Sequence, residues 1–163
     1  MAGSAERALP EQRAVARRFL TSLNEMDYDE RYLAGVLFFN DRRFFEAHEV
    51  WEDLWADTQG ADHRFYQGLI QAAVALYHLS NRNVRGAAKL FHTSWAYMQP
   101  YPSPHRGIDI SEFWEQMRLC FAPILDQPNS TVERLDENLI PTIRLNPEPA
   151  AWPDLAGFCQ DEE

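Results

Sequence analysis

His48 and Glu52 stand four residues apart in the stretch Phe44-Phe45-Glu46-Ala47-His48-Glu49-Val50-Trp51-Glu52-Asp53-Leu54-Trp55. On a helix, side chains at i and i+4 are neighbours, so an imidazole meets a carboxylate there. Such a pair can hold a ligand or supply two donors to a metal ion. A second polar row follows in Arg64, Gln67, Gln71 and His78. With Trp55, these seven residues are the candidate site.

The elements that must position them are helices. At 100° per residue, Arg42 to Asp57 places Phe44, Ala47, Trp51, Leu54 and Trp55 on one apolar face. Glu46, Glu49 and Asp53 point the other way, as on an ordinary solvated face. His48 falls inside the apolar face, and Glu52 lies at its edge. The next helix, from Asp62 as its cap to about Ser80, is apolar nearly all round and should be central. Gly60 supplies the turn between them. An antiparallel hairpin turning there sets Trp51 against Gly68, Ala47 against Ala72 and Phe44 against Ala75, large groups on small ones. The same register sets His48 opposite Gln71, Glu52 opposite Gln67, and Trp55 opposite Arg64 in a cation–π contact. All the polar members then fall on one seam.

Three readings fit that seam. The groups can satisfy one another as a buried scaffold network. They can line a pocket for a small polar ligand or a peptide. They can also form a metal or catalytic site, which needs three donors, His48, Glu52 and His78. His48-Glu49-x-x-Glu52 lacks the second histidine of a zinc-protease helix. His63, His92 and His105 are expected at capping, surface and loop positions, in solvent. No Ser-His-Asp grouping, phosphate loop or nucleotide fingerprint is present, and no cofactor is expected. Cys120 lies on an amphipathic helix and reads as core.

Composition narrows the partners. The chain has 163 residues, enough for one domain with a substantial core, and a formal net charge of −10. No cluster of Lys or Arg forms the basic face that nucleic acid requires. No apolar run is long enough to span a membrane and no secretion signal is visible, so a cytoplasmic location is expected. Cys120 and Cys159 form no CxxC pair. An unknown protein or small-molecule ligand is the expected partner, and a homodimer stays open.

Along the chain, residues 1–9 read as a flexible start and 10–123 as a helical domain. A first helix runs from Pro10 to about Met26 and a second, capped by Asp27 or Asp29, to about Phe39. Asn40-Asp41 marks a break and a new cap. Asn81 or Asn83 caps a helix to about Met98, and Asp109 or Ser111 opens a last one stopped by Pro123. Residues 124–163 form a proline-rich tail whose apolar groups, from Leu139 to Phe158, predict an extended path across the bundle. Gly35, Phe44, Ala47, Trp51 and Trp55 align with Ala75, Val84, Ala87, Phe91 and Trp95 at an offset of about 40 residues. That spacing predicts an all-α bundle of antiparallel hairpins, tetratricopeptide-like, with small residues allowing close crossings.

Phe45-Glu46-Ala47-His48-Glu49-Val50-Trp51-Glu52-x-x-Trp55, then Arg64-Phe65-x-Gln67-Gly68-Leu69-Ile70-Gln71, Tyr77-His78 and Asn83-x-x-Gly86-Ala87 closely resemble domain-of-unknown-function family 309. The likeness covers about residues 30–122. It implies a small all-α protein and brings no established activity. The reading is therefore a binding module using the seam, with a metal-assisted hydrolase through His48, Glu52 and His78 as the alternative.

Overall fold

Three helix starts among the described residues are set by side chains that satisfy the free backbone N–H groups of a first turn. Asp29 accepts from Arg31 N at 2.8 Å and opens α1, Glu30–Asn40. Asn83 accepts from Gly86 N to open α4, Val84–Met98, and Asp109 accepts from Glu112 N to open α5, Ile110–Leu125. Between them stand α2, Phe44–Asp57, and α3, Asp62–Ser80. Two short 3-10 turns follow, Glu137–Leu139 and Leu155–Gly157. The computed structural model describes residues 27–126 and 136–159, and the expected Pro10–Met26 helix and the chain's last residues lie outside them. Among the described residues the fold is all-α, and each helix packs on the next in sequence. None of these helices is long and apolar enough to cross a membrane.

The two hairpins α1–α2 and α3–α4 repeat in detail. Arg43 N donates to Phe38 O and Arg42 N to Phe39 O; forty residues on, Asn83 N donates to His78 O and Arg82 N to Leu79 O. This is the paired bonding of a Schellman turn. Its left-handed position is filled by Arg42 (φ 63°) and Arg82 (φ 62°). Asn40-Asp41 is the break that the sequence announces, but it caps nothing: Arg43 precedes α2 without a side-chain cap. The Asn40 amide instead grips the tail, donating to Ile143 O at 2.8 Å and accepting from Ile143 N at 2.7 Å.

The expected hairpin contact needs correction. Trp51 does not face Gly68. It is fully buried against α1, where its Nε1 donates to Tyr32 O at 3.2 Å and its ring lies flat on Gly35. Gly68 serves a different crossing, with Met98 and Tyr97 of α4 beside it and Ser94 Oγ donating to its carbonyl at 2.6 Å. α2 thus spends its indole on the preceding helix, leaving a different side for α3. Pro123 also fails to stop α5, which continues to Leu125. Pro123 is exposed and stands in the last turn, two residues before the helix ends.

The tail contributes to the core through Ile140, Ile143 and Leu145, all buried. Thr142 N donates to Gln116 Oε1, Asn146 N to Gly107 O, and Tyr28 OH to Pro147 O. Beyond these contacts Leu155 and Phe158 pack half-buried against the core, while Leu139 and Trp152 are exposed.

These crossings yield two stability predictions. A Cβ at Gly35 would fall 1.8 Å from Trp51 Nε1, whereas at Gly68 its nearest neighbour is the flexible Met98 side chain. Gly35→Ala should cost about 1–3 kcal/mol or more in urea unfolding, and Gly68→Ala distinctly less. Equal losses would refute the Trp51–Gly35 contact. Arg82→Gly should raise stability by about 0.5–1 kcal/mol by relieving a left-handed non-glycine residue. Arg42→Gly should gain less, because Arg42 Nη2 also donates to Glu137 O.

Candidate functional site

Two ring pairs bracket the α2/α3 seam. At one end Phe45 meets Tyr77, centroids 5.6 Å apart; at the other Trp55 stacks on His63 at 4.6 Å and 24°. Both pairs are close to the register of a hairpin turning at Gly60, whose φ of 90° makes the turn. His48, Glu52, Gln67 and Gln71 lie between them along the two helices. His48 Nε2 is 3.3 Å from Glu52 Oε1, and its Nδ1 is 3.2 Å from Phe45 O. Glu52 is exposed, so this pair sits on the rim.

The inner edge of the seam is different. Gln71 Oε1 and Trp55 Nε1 are buried without a hydrogen-bond partner. One is an acceptor and the other a donor, each carrying a desolvation cost of about 1–3 kcal/mol. Gln67 and Gln71 are half-buried on α3 and do not close a network with His48. Trp114 Nε1, the third such atom among the described residues, sits in an aromatic cluster with Phe91, Trp95 and Phe113.

The other expected members divide. Arg64 is exposed and does not cover Trp55; His63 takes that ring, and the cation–π contact among the described residues is Arg43 over Phe38 at 4.8 Å. His78 turns toward α4, with Nδ1 3.2 Å from Asn83 Nδ2. His48, Glu52 and His78 therefore make no ligand set, and among the described residues no three His, Cys, Asp or Glu side chains gather closely enough for a metal ion. Cys120 is core, as expected, and burial pushes its thiol up to about 12. Two grooves, of about 140 and 470 Å³, lie elsewhere, where α5 meets the tail on either side of Gln116 and Thr142.

A polar cluster that sequence reasoning missed stands at the start of α3. Asp62, expected as a cap, is the first helical residue after Ala61 and turns its carboxylate to the 101–109 loop. Oδ1 lies 2.7 Å from His105 Nε2, while Arg106 donates to Oδ2 through Nε at 2.9 Å and through Nη2. His105 is thus half-buried against Phe65 and Tyr101 rather than solvated. Tyr32 OH donates to Arg106 O at 2.7 Å, and Tyr101 OH donates to Ala61 O. His105-Arg106-Gly107 was a visible signal, but its acceptor lies more than 40 residues upstream.

The family comparison can now be set beside this geometry. Residues 32–90, which hold the whole seam, match the family model described as Domain of unknown function (DUF309). That stretch is what this chain shares with the family. A Bacillus subtilis (strain 168) protein named uncharacterized protein YpuF is 31% identical over 111 residues, 67% of this chain and 59% of that protein. An Aquifex aeolicus (strain VF5) uncharacterized protein is 31% identical over 74 residues, 45% of this chain and 22% of its own length. The chain therefore spans less than two thirds of either relative. The DUF309 match includes Asp62 but ends before His105 and Arg106, so the seam lies entirely within it and the Asp62 cluster does not.

Burial works against the Asp62 charge, yet the hydrogen bonds from Arg106 and His105 outweigh it and hold the carboxyl below its ordinary value. A carboxyl depressed in the folded state stabilises the fold above its unfolded pKa, and that contribution disappears as pH falls through the folded one. Asp62→Asn should cost on the order of 1 kcal/mol at pH 7. The gap from the parent should shrink below about pH 4. Urea unfolding at the two pH values checks this; a gap that stays constant would remove Asp62 ionisation as the cause.

Proposed function

We propose that this protein is a binding module whose α2/α3 seam receives a polar ligand or peptide. The observation that carries the reading is the pair of buried, unpartnered atoms, Trp55 Nε1 of α2 and Gln71 Oε1 of α3. A scaffold network would pair its own members, as Asp62, His105 and Arg106 do. An acceptor and a donor left without partners are a cost to the unliganded fold, and a ligand carrying both senses of hydrogen bond offsets it. The repeated hairpins support the tetratricopeptide-like comparison for such a module. The hydrolase alternative lacks support, since its three donors do not converge.

Stability separates a site from a scaffold. Gln71→Met removes a buried carbonyl with no partner, and His48→Leu breaks a rim pair worth under about 1 kcal/mol. Both variants should unfold at or above the parent temperature. A thermal-shift screen of amino acids, carboxamides and dipeptides should then find compounds that raise the midpoint of the parent and not of Gln71→Met. Marked destabilisation of both variants, or no compound that distinguishes them, would refute the binding reading.

A further inference from the structure

We infer that the seam's occupant is an extended segment of a partner protein, neutral or basic in charge and read through its main chain; this rests on the binding reading above. Gln71 lacks a donor and Trp55 lacks an acceptor. The edge of an extended peptide presents both N–H and C=O groups, which a side chain of single sense does not. The bracketed seam is long enough. His63 to Tyr77 on α3 covers roughly 21 Å at about 1.5 Å per residue, the length of about six extended residues at about 3.3 Å each.

The surroundings select the charge of the segment. Along α3, Gln67, Gln71, Val74 and His78 are half-buried and carry no carboxylate or guanidinium. Glu52 stands on the rim, and the whole chain has a net charge of −10, so an acidic segment is repelled. Phe45 is 47% and Tyr77 39% exposed, and their paired rings form a ledge for an apolar side chain or for a cation over the π face. α4 bounds the far side, with Gly86 against His78 and Gly68 against Tyr97. The Gln71 and Trp55 polar atoms are sealed in the unliganded fold, so entry requires both side chains to turn, a change of rotamer common at interfaces.

A phage library of random octapeptides, selected on the full chain and counter-selected on Gln71→Met, tests the inference. The expected result is enriched peptides, basic or neutral, whose synthetic forms bind the parent at least about tenfold tighter than Gln71→Met. Phe45→Ser, altered at an exposed position, should weaken them as well. N-methylation of single backbone nitrogens in the best peptide should abolish binding at alternate positions only. Tolerance of methylation everywhere, an acidic consensus, or no enrichment over the variant would each overturn the inference. Small amides that distinguish parent from Gln71→Met in the thermal-shift screen, with no peptide enriched, would leave the binding reading standing and remove the peptide.

Discussion

Trp51 lying on Gly35 is the contact from which the rest of the arrangement follows. The indole is wholly buried and its Nε1 is bonded to Tyr32 O, so both its volume and its polar atom are used on α1. Only a residue without Cβ lets the helices approach that closely. With the Trp51 indole of α2 directed at α1, the side bearing Phe45, His48, Glu52 and Trp55 is left for α3 and the surface. The same residue Tyr32 extends the constraint outward, because its hydroxyl donates to Arg106 O in the loop that Asp62 holds. One helix crossing is thereby coupled to the placement of α3 and, through Gly107 and Asn146, to the tail.

What was legible in the chain depended on how local its physics was. Helical periodicity and short caps depend on neighbours within a turn or two, so α1 to α5 could be read directly and three caps narrowed to two residues each, of which Asp29, Asn83 and Asp109 serve. The hairpin's turn at Gly60 was legible too, though Trp55 meets His63 rather than Arg64. The face was not. Whether Trp51 turns to α1 or α3 is decided by packing three helices together, and both Gly35 and Gly68 offered it space. The left-handed residues were hidden for another reason: Arg42 and Arg82 fill positions that Gly or Asn usually marks.

Residues with two uses explain the remaining misses. Asp62 and Asn40 each stand where a cap belongs, and each spends its side chain on a distant segment instead. A local rule assigns such residues to the nearest backbone, because the sequence does not display a partner 44 or 103 residues away. The resemblance to a family covered the seam and carried no role for it, so the site had to be judged by its own hydrogen bonds.

That judgement rests on a contrast within one molecule. At the start of α3 the buried polar groups are matched: Asp62 takes bonds from Arg106 and lies against His105, and the tyrosine hydroxyls around them find carbonyls. Ser94, buried between α3 and α4, is matched as well. This fold therefore satisfies the polar groups at these places, although Trp114 Nε1 in its aromatic cluster stays unpaired. Along the seam it does not: a donor and an acceptor stay sealed and unpaired, while the neighbouring imidazole and carboxylate bond at the rim. Replacing Gln71 or Trp55 by an apolar group would remove that cost without disturbing any paired partner. Retention of these two atoms of opposite sense, Gln71 Oε1 and Trp55 Nε1, is the observation on which the proposed binding role rests.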